Sequence, residues 1–226
     1  VAAAAVHTCD QCGYLDGLVN NAGIAGEQRP PAEATITDLR RVLETNVTGA
    51  TSVLSTFAPL LEASQSPVVV NVSSAVGSLT LNSKPDPGWS MLAYPMSKAA
   101  LNMLTIQDAR AYPRWRVNSA TPGLTATQFA PTASDGQRVE QGAEILVRLA
   151  LISPEGPTGT FVDINAPVPW ERPARGGRPP ARPPEHRPGP PGPAPRATGR
   201  RSVGSPAPPH RAHPVPRRPD ATGWAR

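Results

Sequence analysis

The sequence predicts an α/β fold, a parallel sheet with helices on both faces, spanning residues 1–170 and followed by a tail of a different kind. Three observations carry this. Short strand-like runs alternate with amphipathic stretches through the first 170 residues, the order that a parallel sheet with crossover helices requires. The run Pro67–Ser73 is β-branched and apolar almost throughout, as a strand buried on both faces reads. After Trp170 the composition changes: residues 171–226 hold 16 of the 30 prolines and 12 of the 22 basic residues.

The elements follow in order. Val1–Val6 is helical in composition. Leu15–Asn20 is a short apolar run closing on Asn-Asn-Ala-Gly, a strand and then a turn. Thr37 before Asp38 reads as a helix cap and first turn, and Leu39, Val42, Leu43, Val47 and Leu54 recur at helical spacing, so a helix is expected over 37–64. Strand Pro67–Ser73 comes next. Residues 90–112, rich in Ala, Leu and Met, predict a long helix, and Arg116–Ala120 a short strand stopped by Pro122-Gly123. Residues 135–151 are helical, with Ile145, Leu146, Leu149 and Leu151 as the apolar set, and Thr158–Ile164 is a last strand.

Residues 171–226 carry a net charge of +9 and the remainder −4, so the overall +5 belongs to the tail. The tail has no Lys, Ile, Leu, Met, Phe or Tyr. Such a segment lacks the apolar surface needed to offset the entropy of ordering it, and disorder with polyproline character is expected. A basic arm is one reading of it; the bland reading is a frameshift near Trp170, because GC-rich codons give Pro, Arg, Ala and Gly. A globular nucleic-acid binder is not indicated, and no specific nucleic-acid partner is expected. No apolar run reaches the roughly 18 residues of a membrane span, and Val1–Val6 is too short for a signal-peptide core. A cytoplasmic protein without a membrane partner is therefore expected. Cys9 and Cys12 cannot form a disulfide framework, and with no second Cys or His pair they read as incidental thiols rather than a metal site. The sequons at Asn46 and Asn71 fall in an expected helix and a buried strand, which argues against glycosylation.

The strongest chemical signal is Tyr94-Pro95-Met96-Ser97-Lys98. Tyr and Lys at i and i+4 share one helix face, with Cβ atoms about 5–6 Å apart, and a nearby ammonium lowers a phenol's pKa. Alone the pair is commonplace. Upstream, however, the buried strand ends in Asn71-Val72-Ser73-Ser74, and hydroxyls at the carboxyl ends of parallel strands are where such sheets meet ligands. Further upstream lie Asn20-Asn21-Ala22-Gly23 and, on the amphipathic helix, Thr45-Asn46-Val47. Downstream runs Asn118-Ser119-Ala120-Thr121-Pro122-Gly123-Leu124-Thr125-Ala126-Thr127.

This ordered set, from Leu15 to Trp170, resembles the short-chain dehydrogenase/reductase family. The long spacer between Ser74 and Tyr94 and the ending from Gly156 to Trp170 resemble its carbonyl-reductase-like branch. The resemblance implies a partial doubly wound, Rossmann-type sheet lacking its first strands, and an NADP- or NAD-dependent oxidoreductase, with NADP favoured by the branch. It implies that Tyr94 is the acid/base, that Lys98 tunes it and binds the nicotinamide ribose, that Ser74 holds the substrate carbonyl, and that Asn46 fixes a relay water. Asn21, Ala22 and Gly23 would form the turn beside the cofactor, and Pro122, Gly123, Thr125 and Thr127 the loop against the nicotinamide carboxamide. The substrate would be a small carbonyl compound or alcohol, and no metal is required. The family's Gly-rich pyrophosphate turn is absent from the sequence, which opens on Val. An amino-terminally truncated, inactive or incomplete fragment is expected on that ground, with Leu15–Asn20 as an exposed edge. The alternative is a non-catalytic remnant or interaction protein of the same descent. The resemblance also implies a homo-oligomer through helices 37–64 and 90–112.

Overall fold

Four strands, β1 (Gly17–Asn20), β2 (Val68–Val72), β3 (Arg116–Ala120) and β4 (Phe161–Val162), form one sheet in sequential order, every pairing parallel. The computed structural model describes residues 1–84, 91–129 and 135–170. The expectations for the tail at 171–226 lie outside the described residues.

Side-chain alternation along β2 and β3 assigns each face its cover. On one face Val69 and Val117 meet Leu54 and Leu61 of helix α3 (Gly49–Glu62) and the fully buried Trp115. Ala109 of helix α5 (Ala93–Ala111) packs against the same cluster. On the other face Val68, Val70 and Ala120 meet Ile145 and Leu149 of helix α6 (Val139–Ala150). β2, with cover on both sides, has its first four residues buried, which is why its sequence lacks the alternation of a half-exposed strand. β1 pairs only with β2, and Val19 in it is 42% exposed, so it forms a sheet edge among the described residues. Helix α1 (Ala2–Cys12), capped by left-handed Gly13, runs further than expected but buries none of its residues.

Several boundaries differ from expectation. The cap of helix α2 (Ile36–Leu43) is Thr35, not Thr37: its side chain accepts from Asp38 N at 3.1 Å. The helix expected over 37–64 is not continuous. A π-helical turn, Glu44–Thr48, separates α2 from α3, with Gly49 N bonded back to Glu44 O. The helix expected over 90–112 runs Ala93–Ala111, and residues 85–90 lie outside the described ones. A 3₁₀ turn at Ala75–Gly77 and a one-turn helix α4 (Leu79–Asn82) follow β2 unforeseen. The helix expected over 135–151 begins at Val139, and the last strand shrinks from Thr158–Ile164 to two residues. There the chain doubles back instead: Val168 N bonds to Phe161 O at 2.7 Å, and Trp170 packs on Phe161.

Candidate active site

The carboxyl ends of β1, β2 and β3 lie side by side, because Asn20 is in register with Asn71 and Val72 with Ala120. Open α/β sheets bind ligands at such an edge. Each strand hands over there to one of the expected motifs, while α5 brings Tyr94 and Lys98 across from the face.

Lys98 is the best-buried ionisable side chain in this group, only 3% exposed, and its Nζ donates to Val72 O at 2.7 Å. Nζ lies 5.5 Å from the Tyr94 ring centroid. The Ser74 side chain lies against Tyr94, where it acts to lower the phenol's pKa, and Phe129 packs against the Tyr94 ring with centroids 5.5 Å apart. Burial pushes the Tyr94 phenol up to about 12, with the Ser74 side chain opposing it. Burial draws Lys98 down to about 8. The net shift of Tyr94 is therefore opposite in sign to the expectation that Lys98 would lower it. Desolvation of the phenolate by burial is the dominant cause, and the side chain that opposes it is Ser74. At neutral pH the pair is a neutral phenol, able to donate a proton, beside a largely cationic amine.

Asn46 sits in the π-helical turn and is almost fully buried. Its Oδ1 accepts from Ile24 N at 2.8 Å, and its Nδ2 donates to Ile24 O at 2.9 Å and to Ser97 Oγ at 2.9 Å. Ser97 Oγ in turn donates to Tyr94 O at 2.8 Å. Asn46 thus ties the turn after β1 to the helix carrying Tyr94. A π-turn places one extra residue in a helix and is often found at functional sites; here it presents Asn46 inward. Gly23 belongs to the same turn. A Cβ on it would come within 3.3 Å of Asn46 Oδ1 and 3.5 Å of Lys98 Nζ, so glycine keeps the space beside Lys98 open. Asn21 and Ala22, just before it, are exposed.

Asn21–Gly23, Asn46, Ser74, Tyr94 and Lys98 thus lie on or around the carboxyl edge. Pro122, Gly123, Thr125 and Thr127 form the loop leaving β3 at that edge. Gly123 has a φ of +77°, Gln137 donates to Pro122 O and to Thr125 Oγ1, and Thr127 Oγ1 accepts from Phe129 N at 3.3 Å. The loop reaches the group around Tyr94 through Phe129.

Residues to which the sequence reading gave no role complete the frame. Under the site, Asn20 Nδ2 donates to Asn71 Oδ1 and Asn71 Nδ2 to Thr105 Oγ1, both at 2.8 Å, and Thr105 Oγ1 lies 2.7 Å from Ser119 Oγ. Ser73 Oγ donates to Asn102 Oδ1 at 2.6 Å. Ser97, Asn102 and Thr105 share the buried face of α5 with Lys98 and Leu101. Polar side chains at core-facing positions of a helix were the sequence signal for them.

The residues present fit the nicotinamide end of a dinucleotide. Lys98 Nζ makes one hydrogen bond among the described residues, leaving two of its three donors for a ribose hydroxyl, and Gly23 leaves room beside it. Among the described residues no helix is long and apolar enough to cross a membrane.

The model of the short chain dehydrogenase family matches residues 1–138. A short-chain dehydrogenase/reductase from Stachybotrys chlorohalonatus is 35% identical over 180 residues, covering 73% of this chain and 64% of that protein. The chain therefore spans somewhat less than two thirds of that relative's length. Salutaridine reductase from Papaver somniferum is 30% identical over 218 residues, covering 68% of this chain and 70% of that one. Among solved structures, NADPH-bound carbonyl reductase from chicken fatty liver superposes with a TM-score of 0.62 at 28% identity, covering 72% of this chain and 69% of that one. With the family model matching more than half of its residues, and its motifs gathered at one sheet edge, the chain belongs to the short-chain dehydrogenase family.

Proposed function

We propose that this chain carries the proton-transfer site of an oxidoreductase that moves a hydride between NADPH or NADH and a small carbonyl or alcohol substrate. The observation that carries the reading is the Ser74 side chain against Tyr94, beside the buried Lys98, at the carboxyl edge of a parallel sheet. The nicotinamide supplies the hydride when bound. What remains for the protein is to orient the carbonyl and to offer a proton. Ser74 Oγ and the Tyr94 hydroxyl converge where a carbonyl oxygen would be held between them. Tyr94, protonated at neutral pH, donates to that oxygen, and the adjacent Lys98 ammonium stabilises the negative charge left on the phenolate. Lys98 also holds the ribose, and Asn46 orders the proton path behind it. Asn21, Ala22 and Gly23 border the cofactor, and Pro122, Gly123, Thr125 and Thr127 take its carboxamide.

NADP is favoured over NAD, in keeping with the NADPH carried by the chicken carbonyl reductase. Phe129, packed on Tyr94, gives the site an apolar wall suited to the carbon skeleton of the substrate. The same reading extends to self-association through the helical segments 37–64 and 90–112, the second of which carries Met103, 55% exposed.

The test is Tyr94→Phe in a protein in which a Gly-rich pyrophosphate-binding segment of the family precedes these residues, assayed by NADPH absorbance with a panel of small ketones and aldehydes. The phenyl ring keeps the packing and removes the proton. General acid catalysis contributes about 10²–10⁴-fold, so turnover should fall at least that far while cofactor binding is retained. Turnover within threefold of the parent would overturn the assignment.

A further inference from the structure

We propose that Asn102 is a positioning residue that sets the Ser74 hydroxyl against Tyr94 by fastening both ends of the turn that carries Ser74 to the helix that carries Tyr94. The proposal rests on the reading of Ser74 and Tyr94 given above, and it adds a residue whose hydrogen bonds go to the neighbours of Ser74 and not to Ser74 or Tyr94.

Asn102 lies on α5, four residues beyond Lys98 and eight beyond Tyr94, on its sheet-facing side and 3% exposed. Its Oδ1 accepts from Ser73 Oγ at 2.6 Å, and its Nδ2 donates to Gly77 O at 3.3 Å. Ser73 and Gly77 bracket Ser74. One planar amide thus grips the segment immediately before the functional hydroxyl and again three residues after it. The rest of the segment is held in place by contacts of its own. Ser73 N bonds to Ala120 O at 2.7 Å, and Ser74 Oγ accepts from Val76 N. Gly77 lies so close to the helix that a Cβ on it would meet the Lys98 carbonyl carbon at 2.7 Å. These contacts fix the distance between turn and helix. Asn102 supplies, from one side chain of α5, bonds on both sides of Ser74, and so fixes the turn's position along the helix axis, the coordinate that aligns Ser74 with Tyr94. An amide is suited to this because it offers a donor and an acceptor at a fixed spacing. Its burial in an otherwise tightly packed face is sustained by having both ends satisfied.

The experiment uses the whole chain labelled with ¹³C at tyrosine Cζ, a carbon whose NMR shift follows the hydrogen bonding of its own hydroxyl. The Tyr94 signal is the one lost in Tyr94→Phe. Ser74→Ala provides the reference displacement. Asn102→Ala and the milder Ser73→Ala should each reproduce that displacement in direction and most of its size. Neither should move the signal further when combined with Ser74→Ala, because the effect passes through Ser74. An unmoved Tyr94 signal with a lowered melting temperature would show Asn102 to be structural only, and an additive displacement in the double variant would show that it does not act through Ser74; either overturns the proposal. Should Ser74→Ala itself leave the signal in place, the Ser74–Tyr94 pairing fails first, and the assignment of the site with it.

Discussion

Replacing Thr105 by Val tests whether the polar ladder beneath the site holds α5 in register. The substitution conserves shape and removes one hydroxyl. In the protein that hydroxyl donates to Leu101 O at 3.0 Å, accepts from Asn71 Nδ2 at 2.8 Å and lies 2.7 Å from Ser119 Oγ. With its single proton on Leu101 O, Ser119 is the donor of the third bond, and both lone pairs of Thr105 are used. Thr105, Asn71 and Ser119 are all 0% exposed, so water cannot replace what is lost. Valine strands an amide N–H of Asn71 and the hydroxyl of Ser119. A buried polar group left unpaired costs roughly 1–3 kcal/mol, so the two together cost about 2–6 kcal/mol. With a urea m-value of about 2 kcal/mol/M, the unfolding midpoint should fall by about 1–3 M. Thr105→Ser is the control. It keeps the hydroxyl and gives up one buried methyl, about 1 kcal/mol. The more hydrophobic variant should therefore be the less stable one, the reverse of a ranking by apolar burial. Urea unfolding followed by far-UV circular dichroism, with tryptophan emission as a second probe, reads both variants. A Val variant as stable as the Ser variant, or a midpoint within 0.3 M of the parent, would refute the reasoning.

Two further outcomes follow from close contacts and from charge. Gly77→Ala should destabilise by about 1–3 kcal/mol in the same urea assay, because its Cβ would meet backbone atoms of Lys98 and Ala99 at 2.7–3.0 Å, and backbone cannot swing aside; an unchanged midpoint would show that the turn shifts freely. Asp108 has a buried Oδ2 without a hydrogen-bond partner among the described residues, and burial pushes its carboxyl up to about 6. Its folded value lies above the unfolded 3.8, so the folded state binds more protons between about pH 4 and 6 and stability falls as pH rises through that window. Asp108→Asn should flatten that stretch of the stability profile and gain on the parent at pH 7; parallel profiles would refute it.

The order of strands and helices was legible in the sequence because each element carries its own local signal. The apolar run at 67–73, the short strand at 116–120 stopped by Pro122-Gly123, the periodic apolar positions of α2, α3 and α6 and the composition of α5 follow from which side chains avoid water and which residues favour helix. Helical spacing puts Tyr94 and Lys98 on one face, but it was the ordered set of motifs around them that singled them out. The cap of α2 was not legible. Thr35 and Thr37 are both competent, and Thr35 takes the cap, while Asp38 at the third helical position accepts from Glu27 N outside the helix. That is a contact across the fold which no local pattern reveals. The π-turn at Asn46 arose likewise, from two bonds to Ile24 and one to Ser97.

What the sequence by itself determined is therefore the α/β class, the order of strands and helices, and which side chains to propose as the reactive ones. Only the tertiary structure decided their electrostatics and their alignment. Lys98 beside Tyr94 promises a more acidic phenol as long as both are imagined in water, yet burial drives the phenol up to about 12 and the amine down to about 8. Spacing along one chain gives the distance between two groups. Desolvation depends on every other segment that closes over them, and so do the bonds that Asn102 and Thr105 make to strands distant in sequence.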